Sequence, residues 1–170
     1  NILMGNGWNV AALNFRGCSG EPNLSFQSYT AGKTDDLEAV LNMVLAKDRY
    51  SEISLVGFSL GGNLLLKYLG ERESLPKEIK SAVAISTPLD LKGSLEALND
   101  FSNWIYRNSF LKSLRKKYKE KRNGFPDRMT ASEYAKITSL IQVDNIYTAP
   151  AHGFKDAEEY YKKNSSLQFL

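Results

Sequence analysis

The stretch that decides the fold is Ile53-Ser54-Leu55-Val56-Gly57-Phe58-Ser59-Leu60-Gly61-Gly62. Its first residues form a short, largely β-branched and apolar run, which is typical of a buried strand in a parallel sheet. Residues 60–69 follow with a helical pattern, so the sequence predicts a strand, a sharp turn and a helix. The central five residues match G-x-S-x-G, a pattern that places a serine on a tight turn at the carboxyl edge of a sheet.

The geometry of this turn gives its glycines and its serine separate roles. Bulky side chains two residues on either side of the serine would collide, which predicts that Gly57 and Gly61 are sterically required. The hydroxyl of Ser59 is expected above a helix amino terminus, where the backbone N–H of Leu60 donates to a developing oxyanion. The motif therefore predicts Ser59 as a nucleophile, the alternative being a Gly-Ser-Gly turn without chemistry.

The composition limits the class of protein. The 170 residues suit one domain, and the hydrophobic fraction of 42% and charged fraction of 24% are ordinary for a globular protein. With 22 basic and 19 acidic side chains the net charge is +3, which is too mild to indicate a nucleic-acid partner. The single cysteine, Cys18, excludes an internal disulfide and indicates a reducing, cytoplasmic location, with membrane association as the alternative.

Two further strands are predicted, one on each side of the motif in the sequence. Trp8 to Phe15 and Ile79 to Ile85 are the candidates. Before the motif, a helix capped by Ser28 or Thr30 is predicted from apolar residues at helical spacing, namely Leu37, Val40, Leu41, Val44 and Leu45. Two consecutive β-α-β units follow, which predicts an α/β fold with a parallel sheet core and helices on both faces.

The pattern changes after Thr87-Pro88. From Leu89 to about Lys163 the chain is predicted to be helical, with breaks at Gly124-Phe125-Pro126 and near Ala149-Pro150. In a doubly wound enzyme such an insertion lies over the carboxyl ends of the strands and shapes access to the site. We therefore predict a core of residues 1–88, a helical cap insertion of residues 89–163, and an approach to the next core strand in residues 164–170.

These residues resemble the α/β-hydrolase superfamily and, more narrowly, its YheT-type, embryogenesis-associated branch of esterases and acylglycerol lipases. The stretches that carry the resemblance are Trp8-Asn9-Val10, Asn14 to Asn23, Gly57 to Asn63, Ser86 to Leu91 and Thr148 to Phe154. The resemblance implies a partial α/β-hydrolase fold and hydrolysis of carboxylic esters through a Ser59 acyl-enzyme. It also implies a central fragment, inactive alone, whose acid and histidine follow residue 170 and whose upstream oxyanion loop precedes residue 1.

A triad inside the chain is the alternative. His152 is the single histidine, and the order Ser59, Asp90, His152 formally satisfies the hydrolase order of serine, acid and histidine. Because His152 lies in a segment that resembles the family's cap, we expect it to order a turn or line the cap pocket. Asp90 follows Thr87-Pro88 and is expected to cap a helix amino terminus.

The remaining polar candidates near the amino terminus are given structural roles. Arg16 is expected to hold together the turn-rich loop of residues 16–23. Asp35 and Asp36 are expected in the first turn of a helix, where negative charge suits the dipole. Cys18 is expected to be a small buried residue, since no histidine neighbours it in the sequence. One histidine and one distant cysteine make no zinc site, and no nucleotide-binding loop is present, so neither metal nor cofactor is predicted.

The predicted cap carries the one strong charge cluster, which consists of Lys112, Arg115, Lys116, Lys117, Lys119, Lys121 and Arg122. We expect the solvated face of a cap helix there, with weak contact to a membrane surface as the alternative. Its apolar residues, Trp104, Ile105, Tyr106 and Phe110, suggest a small-molecule ester with an apolar acyl chain. The competing function is a non-catalytic hydrolase-like module that binds a lipid or a protein partner.

Overall fold

The computed structural model of this protein describes residues 2–21 and 23–170. The elements up to residue 88 are α1 (Ile2–Gly5), α2 (Thr34–Leu45), β1 (Ile53–Phe58), α3 (Leu60–Gly70) and β2 (Ile79–Ile85). Strands β1 and β2 pair in parallel, with Val56 opposite Val83 and Phe58 opposite Ile85. A parallel pair needs a crossover connection, and α3 supplies it. The predicted α/β class with a parallel sheet is therefore confirmed.

The two faces of this sheet differ in what covers them. Gly57 faces the start of α3, because a Cβ placed on it would meet the backbone of Gly61 and Gly62. Side chains alternate along a strand, so the neighbouring residues of β1 point to the other face. That other face carries the apolar side chains of Val56, Phe58, Val83 and Ile85, which are between 40% and 65% exposed. Among the described residues, helix packing therefore covers one face.

The predicted strand from Trp8 to Phe15 is wrong in this structure. Residues 8–15 have no regular secondary structure, and all but Phe15 are exposed. A strand needs a neighbour for its backbone hydrogen bonds, and within residues 2–21 and 23–170 the sheet holds only β1 and β2. The end of the segment is nevertheless held in place, because the ring of Phe15 stacks on that of Tyr29 with centroids 5.4 Å apart.

Helix α2 begins later than predicted. Its amino-terminal cap position is Lys33, and no side chain caps it. The two predicted caps have other partners: Ser28 shares a 2.7 Å hydrogen bond with the Tyr147 hydroxyl, and Thr30 accepts a hydrogen bond from the backbone of Gly32. Both side chains are buried, and the hydrogen bond to Tyr147 ties the segment before α2 to the helical region.

All regular secondary structure in residues 89–170 is helical. The helices are α4 (Leu91–Leu98), α5 (Trp104–Gly124), α6 (Ala131–Ala135), α7 (Leu140–Val143), α8 (Ala149–Ala151) and α9 (Ala157–Asn164). Short 3-10 turns at Phe101–Asn103 and Ser166–Phe169 and a π-helical turn at Asp144–Thr148 complete the region. The boundaries of a cap insertion at residues 89–163 stay a prediction.

One of the two predicted breaks in this region is observed. Helix α5 ends at Gly124, as expected from Gly124-Phe125-Pro126. The break near Ala149-Pro150 is wrong, because these residues form α8 directly after the π-helical turn. The chain turns instead at Gly153, whose φ of 81° suits a glycine.

The helical region has a hydrophobic cluster of its own. Its buried members are Leu114, Tyr118, Met129, Ile137, Leu140, Val143, Tyr147 and Ala151. The rings of Tyr118 and Tyr147 pack with centroids 4.1 Å apart, and Phe26 packs edge-on against Tyr147 at 5.1 Å. Phe26 therefore brings the loop before α2 into contact with this cluster.

Candidate active site

The turn between β1 and α3 holds Ser59 in an uncommon backbone conformation. Its φ is 48° and its ψ is −121°, which lies outside the regions that non-glycine residues usually adopt. Such a conformation costs of the order of 1–3 kcal/mol and persists only where the surroundings impose it. Here β1 enters the turn and α3 leaves it at once. The side chain of Ser59 is exposed, as a nucleophile that must meet a substrate requires.

The steric requirement for glycine falls on Gly57 and Gly62. A Cβ on Gly57 would lie 2.5 Å from the Gly61 carbonyl oxygen and 2.7 Å from Gly62 Cα. A Cβ on Gly62 would lie 1.9 Å from the Oγ1 of Thr87. A Cβ on Gly61 would meet only Phe15 Cζ, at an ordinary 3.7 Å. The expected collision therefore holds for Gly57, whereas Gly61 takes part through its backbone.

Leu60, the residue after Ser59, brings its backbone N–H to the start of α3. The N–H of Ser59 itself donates to the Ile85 carbonyl at 2.9 Å, which continues the sheet. The carbonyl of Ser59 accepts from Gly62 and Asn63 at 2.9 and 3.3 Å. Leu60 is the first residue of α3, where N–H groups have no intrahelical partner and the helix dipole is positive. An anion that develops beside Ser59 would meet this donor.

Asp90 has the structural role that the sequence predicts. It occupies the amino-terminal cap of α4, and its Oδ1 accepts a hydrogen bond from the Lys92 N–H at 3.0 Å. Its other oxygen lies over Gly93, where a Cβ would come within 2.6 Å. The carboxylate is therefore engaged at the start of a helix, and among the described residues no hydrogen bond joins it to His152.

His152 follows α8 and is half-buried. Burial lowers the pKa of its imidazole to about 4, with a further contribution from the positive charges of Lys33 and Arg16. The side chain is therefore neutral near pH 7. Its Nε2 is buried, and no hydrogen-bond partner for it is found among the described residues. The hydrogen bonds of these residues do not connect His152 with Ser59, so the alternative triad is not assembled in this structure.

Asn63 is a residue to which the sequence analysis gave no role. Its side chain is fully buried one helical turn after Ser59. The Nδ2 donates to the carbonyls of Ala31 at 3.0 Å and Asn164 at 2.8 Å, and the Oδ1 accepts from the Ser166 N–H at 2.9 Å. Asn63 therefore joins the elbow helix to the segments before α2 and after α9. The available signal was an amide within an otherwise apolar helix.

The loop after residue 15 is held by Arg16, as predicted. The guanidinium forms an ion pair with Asp36 in the first turn of α2, and its Nη1 lies 3.4 Å from the Ser25 hydroxyl. The bond to Asp36 raises the pKa of Arg16. Asp35, also in the first turn of α2, pairs with Lys33 at 2.7 Å, and this hydrogen bond lowers the pKa of Asp35.

Cys18 does not have the buried environment that was predicted. Its side chain is exposed, and the Lys117 ammonium lies 3.0 Å from its sulfur. The turn-rich loop that carries Cys18 runs over the surface, where α5 contacts it. Lys121, also on α5, is buried and donates to the carbonyls of Asn23 at 3.1 Å and Ser25 at 2.6 Å. Part of the predicted basic cluster thus fastens α5 to this loop.

The parallel strand–helix–strand unit and the strained turn at Ser59 together define the class of protein as α/β, with a strand–turn–helix elbow. A family model described as "alpha/beta hydrolase fold" matches residues 3–158. Because this match covers most of the chain, the chain belongs to the α/β-hydrolase fold family, in the YheT-type branch.

Three relatives illustrate the likeness. The chain is 29% identical to "Putative esterase YheT" of Escherichia coli (strain K12), over 96% of this chain and 48% of that protein. It is 30% identical to "Monoacylglycerol lipase" of Saccharomyces cerevisiae, over 94% of this chain and 37% of that protein. It is 31% identical to "Embryogenesis-associated protein EMB8" of Picea glauca, over 94% and 36%. The chain therefore spans from about a third to half the length of these relatives. No solved structure matches it significantly.

No helix within residues 2–21 and 23–170 is both long and apolar enough to cross a membrane. In the same ranges, no group of three or more His, Cys, Asp or Glu side chains is arranged to hold a metal ion. The absence of a cofactor stays a prediction.

Proposed function

We propose that this protein is a carboxylic ester hydrolase in which Ser59 forms an acyl-enzyme. The observation that carries the proposal is the backbone of Ser59, whose φ of 48° presents an exposed hydroxyl at the start of a helix. The absence of a side chain at Gly57, where a Cβ would lie 2.5 Å from the Gly61 oxygen, lets this turn form. Relatives named esterase and monoacylglycerol lipase support the same class of reaction.

In the proposed reaction the hydroxyl of Ser59 attacks the ester carbonyl carbon. A histidine base takes the hydroxyl proton, and the Leu60 N–H stabilises the oxyanion of the tetrahedral intermediate. The histidine then returns the proton to the leaving alcohol, and water releases the acyl group by the reverse steps. We assign the base and its carboxylate to parts of the whole protein outside residues 1–170. Transfer of the acyl group to another alcohol would use the same residues.

The geometry argues against His152 as this base. Its imidazole has a pKa of about 4, which makes it a weak proton acceptor near neutral pH. Asp90, the carboxylate that would orient it, caps α4 instead. His152 is therefore proposed to order the turn at Gly153 and to shape the adjoining cap surface.

We propose a small-molecule ester with an apolar acyl chain as the substrate. Support comes from relatives named "Monoacylglycerol lipase" and "Phospholipase ABHD3". The proposed location is cytoplasmic, on the ground of the single, unpaired Cys18.

The second candidate function is a non-catalytic module that binds a lipid or a protein. One observation favours it: among the hydrogen bonds of residues 2–21 and 23–170, no base accepts one from the Ser59 hydroxyl. The two candidates differ in the reactivity of Ser59, because a serine without a base is a poor nucleophile.

The test is active-site labelling of the full-length protein with a fluorophosphonate probe, followed by peptide mapping. We expect one adduct, on Ser59, and its complete loss in Ser59→Ala. Ser86 is a stringent internal comparison, since it is exposed, follows the neighbouring strand and has a similar φ of 51°. Ser109→Ala, an exposed serine of α5, is the control variant and should label normally. Labelling of Ser86, or no labelling at all, would favour the binding module.

A further inference from the structure

The amino-terminal half of α5 and the turn before it expose a group of large apolar side chains. This group, called the α5 tip, consists of Phe101, Trp104, Ile105, Tyr106 and Phe110, which are between 39% and 87% exposed. The rings of Tyr106 and Phe110 stack on each other, with centroids 6.2 Å apart. Exposed apolar groups of this size usually mark a surface that meets a partner.

Most of the α5 tip lies away from the face by which α5 packs on the protein, whereas Phe110, four residues before Leu114, lies on the same side as that face. That packed face is formed farther along the helix by Leu114, Tyr118 and Lys121, which are buried. At 100° per residue, Ile105 lies on the opposite side of the helix, in line with Lys112 and Lys116. The outer side of α5 therefore carries Ile105 near its start, with Trp104 and Tyr106 on either side of it, and lysines farther along.

The lysines of this outer side are distinct from the basic residues of α5 that hold the protein together. Arg115 donates to the Ile137 carbonyl, and Lys121 donates to the carbonyls of Asn23 and Ser25. The outer lysines Lys112, Lys116 and Lys119 are exposed, and the ion pairs of residues 2–21 and 23–170 do not include them. They are available for an acidic partner.

We propose that the α5 tip and these three lysines seat the protein on an anionic phospholipid surface. The apolar side chains would enter the boundary between head groups and acyl chains, and the lysines would lie among the anionic head groups. Tryptophan and tyrosine, as in Trp104 and Tyr106, favour that boundary because their rings are apolar with one polar end. The inference goes beyond ester hydrolysis and needs no reaction at Ser59.

Charge is the reason for choosing lipid over packing against protein. The exposed face of the sheet, formed by Val56, Phe58, Val83 and Ile85, continues into Ser54 and Ser81, which are hydrogen-bonded to each other at 2.8 Å. It has the uncharged character of a surface that packs against further protein. The α5 tip instead adjoins three exposed lysines, whose burial against an apolar protein surface would carry a large desolvation penalty.

The experiment is vesicle co-sedimentation of the full-length protein carrying Ser59→Ala, which prevents turnover of lipid. Vesicles of phosphatidylcholine alone are compared with vesicles that also contain phosphatidylserine. We expect preferential binding to the anionic vesicles. Replacing Lys112, Lys116 and Lys119 by Glu should lower the partition coefficient by on the order of 100-fold, at about five-fold or more for each lysine. Phe101→Glu with Ile105→Glu should abolish binding to both kinds of vesicle.

Matched controls separate the surface from total charge and from folding. Lys47, Lys77 and Lys162 are exposed lysines outside α5, and replacing all three by Glu makes the same change in net charge. Leu24, exposed outside the α5 tip, is the control for an apolar-to-acidic change as Leu24→Glu. Both controls should retain most of the binding, and circular dichroism should show native helix content in every variant.

The proposal is wrong if the parent protein does not sediment with anionic vesicles, or if the α5 variants bind as well as their controls. Either result would mean that the α5 tip is covered by another part of the protein or has no lipid contact. Because the measurement uses Ser59→Ala, its failure says nothing of ester hydrolysis, which the serine probe tests separately.

Discussion

The sheet unit of residues 53–88 and the helical region of residues 89–164 bury their apolar side chains in different ways. The helical region closes around its own cluster, in which Ile137 has no exposed surface. The sheet packs α3 on one face and leaves apolar residues such as Phe58 exposed on the other. A helix satisfies its backbone within itself, whereas a sheet needs neighbours at both edges and on both faces. The helical region is thus locally determined, and the sheet depends on distant parts of the fold.

Asn63 joins these two regions, and breaking this link is expected to have the largest effect. Asn63→Leu keeps the volume but leaves three buried backbone groups without partners, at about 1–3 kcal/mol each. We expect a loss of at least about 3 kcal/mol in the free energy of unfolding, measured by urea denaturation of the full-length protein. Asn42→Leu, at an exposed position of α2, is the control, and an equal loss there would contradict the assigned role.

The self-contained cluster of the helical region can be tested at Ile137. Ile137→Ala removes buried methyl groups and leaves a cavity, so we expect a loss of about 3 kcal/mol in the free energy of unfolding. Ile105→Ala removes the same atoms from an exposed position and should change stability by less than about 0.5 kcal/mol. Similar losses for both variants in urea denaturation would show that Ile137 lies outside a packed core.

The packing of the sheet against α3 is best tested at the two elbow glycines, Gly57 and Gly61. Gly57→Ala forces a Cβ against the Gly61 carbonyl, so we expect a loss of about 2 kcal/mol in stability, together with loss of labelling at Ser59. Gly61→Ala adds the same methyl group at ordinary distance from Phe15 and should keep most labelling. If both variants label equally, the turn is less constrained than the structure indicates.

The smallest expected effect is on the pH dependence of stability. It arises from the titration of His152. The pKa of its imidazole is about 4 in the folded protein and about 6.5 when unperturbed, as in the unfolded chain, so the unfolded chain binds a proton first as the pH falls. Stability is therefore unaffected above pH 6.5 and decreases from pH 6.5 to about 4. Because the side chain is only half-buried, we expect a loss of about 1 kcal/mol rather than the full value.

The matched variant for this prediction is His152→Asn, which removes the titrating group. Carboxylates also titrate in this range, so the informative quantity is the difference between the two proteins in urea denaturation at successive pH values. The variant should show a weaker decrease in stability between pH 6.5 and 4. Parallel curves would mean that the imidazole is solvated in the folded protein.

Local patterns in the sequence were sufficient for several elements. Strand β2 was predicted with its observed bounds, and α3 was predicted to within one residue at its end. Asp90 was predicted as a helix cap, because its position after Thr87-Pro88 is a local signal. The paired glycines around Ser59 predicted the elbow. In the structure, however, glycine is sterically required at Gly57 and Gly62 and not at Gly61.

The predictions that failed all depended on distant partners. Residues 8–15 have the composition of a strand but no neighbouring strand in the described part of the chain. Ser28 has the chemistry of a helix cap but bonds to Tyr147, which lies far along the sequence. Cysteine is a residue type that is usually buried, but Cys18 lies on a surface loop beside Lys117. The local sequence does not determine which distant residue a side chain contacts in the folded protein.

The sequence by itself determined the family, the parallel β-α-β unit, the helical character of residues 89–163 and the position of Ser59 on the elbow. These follow from short-range rules of strand and helix periodicity and from glycines at a sharp turn. Only the tertiary structure decided that Asn63 joins both regions, that His152 is held neutral, and which basic residues of α5 face outward. Burial and charge environment depend on segments far apart in the chain, and they exist only once these segments pack together.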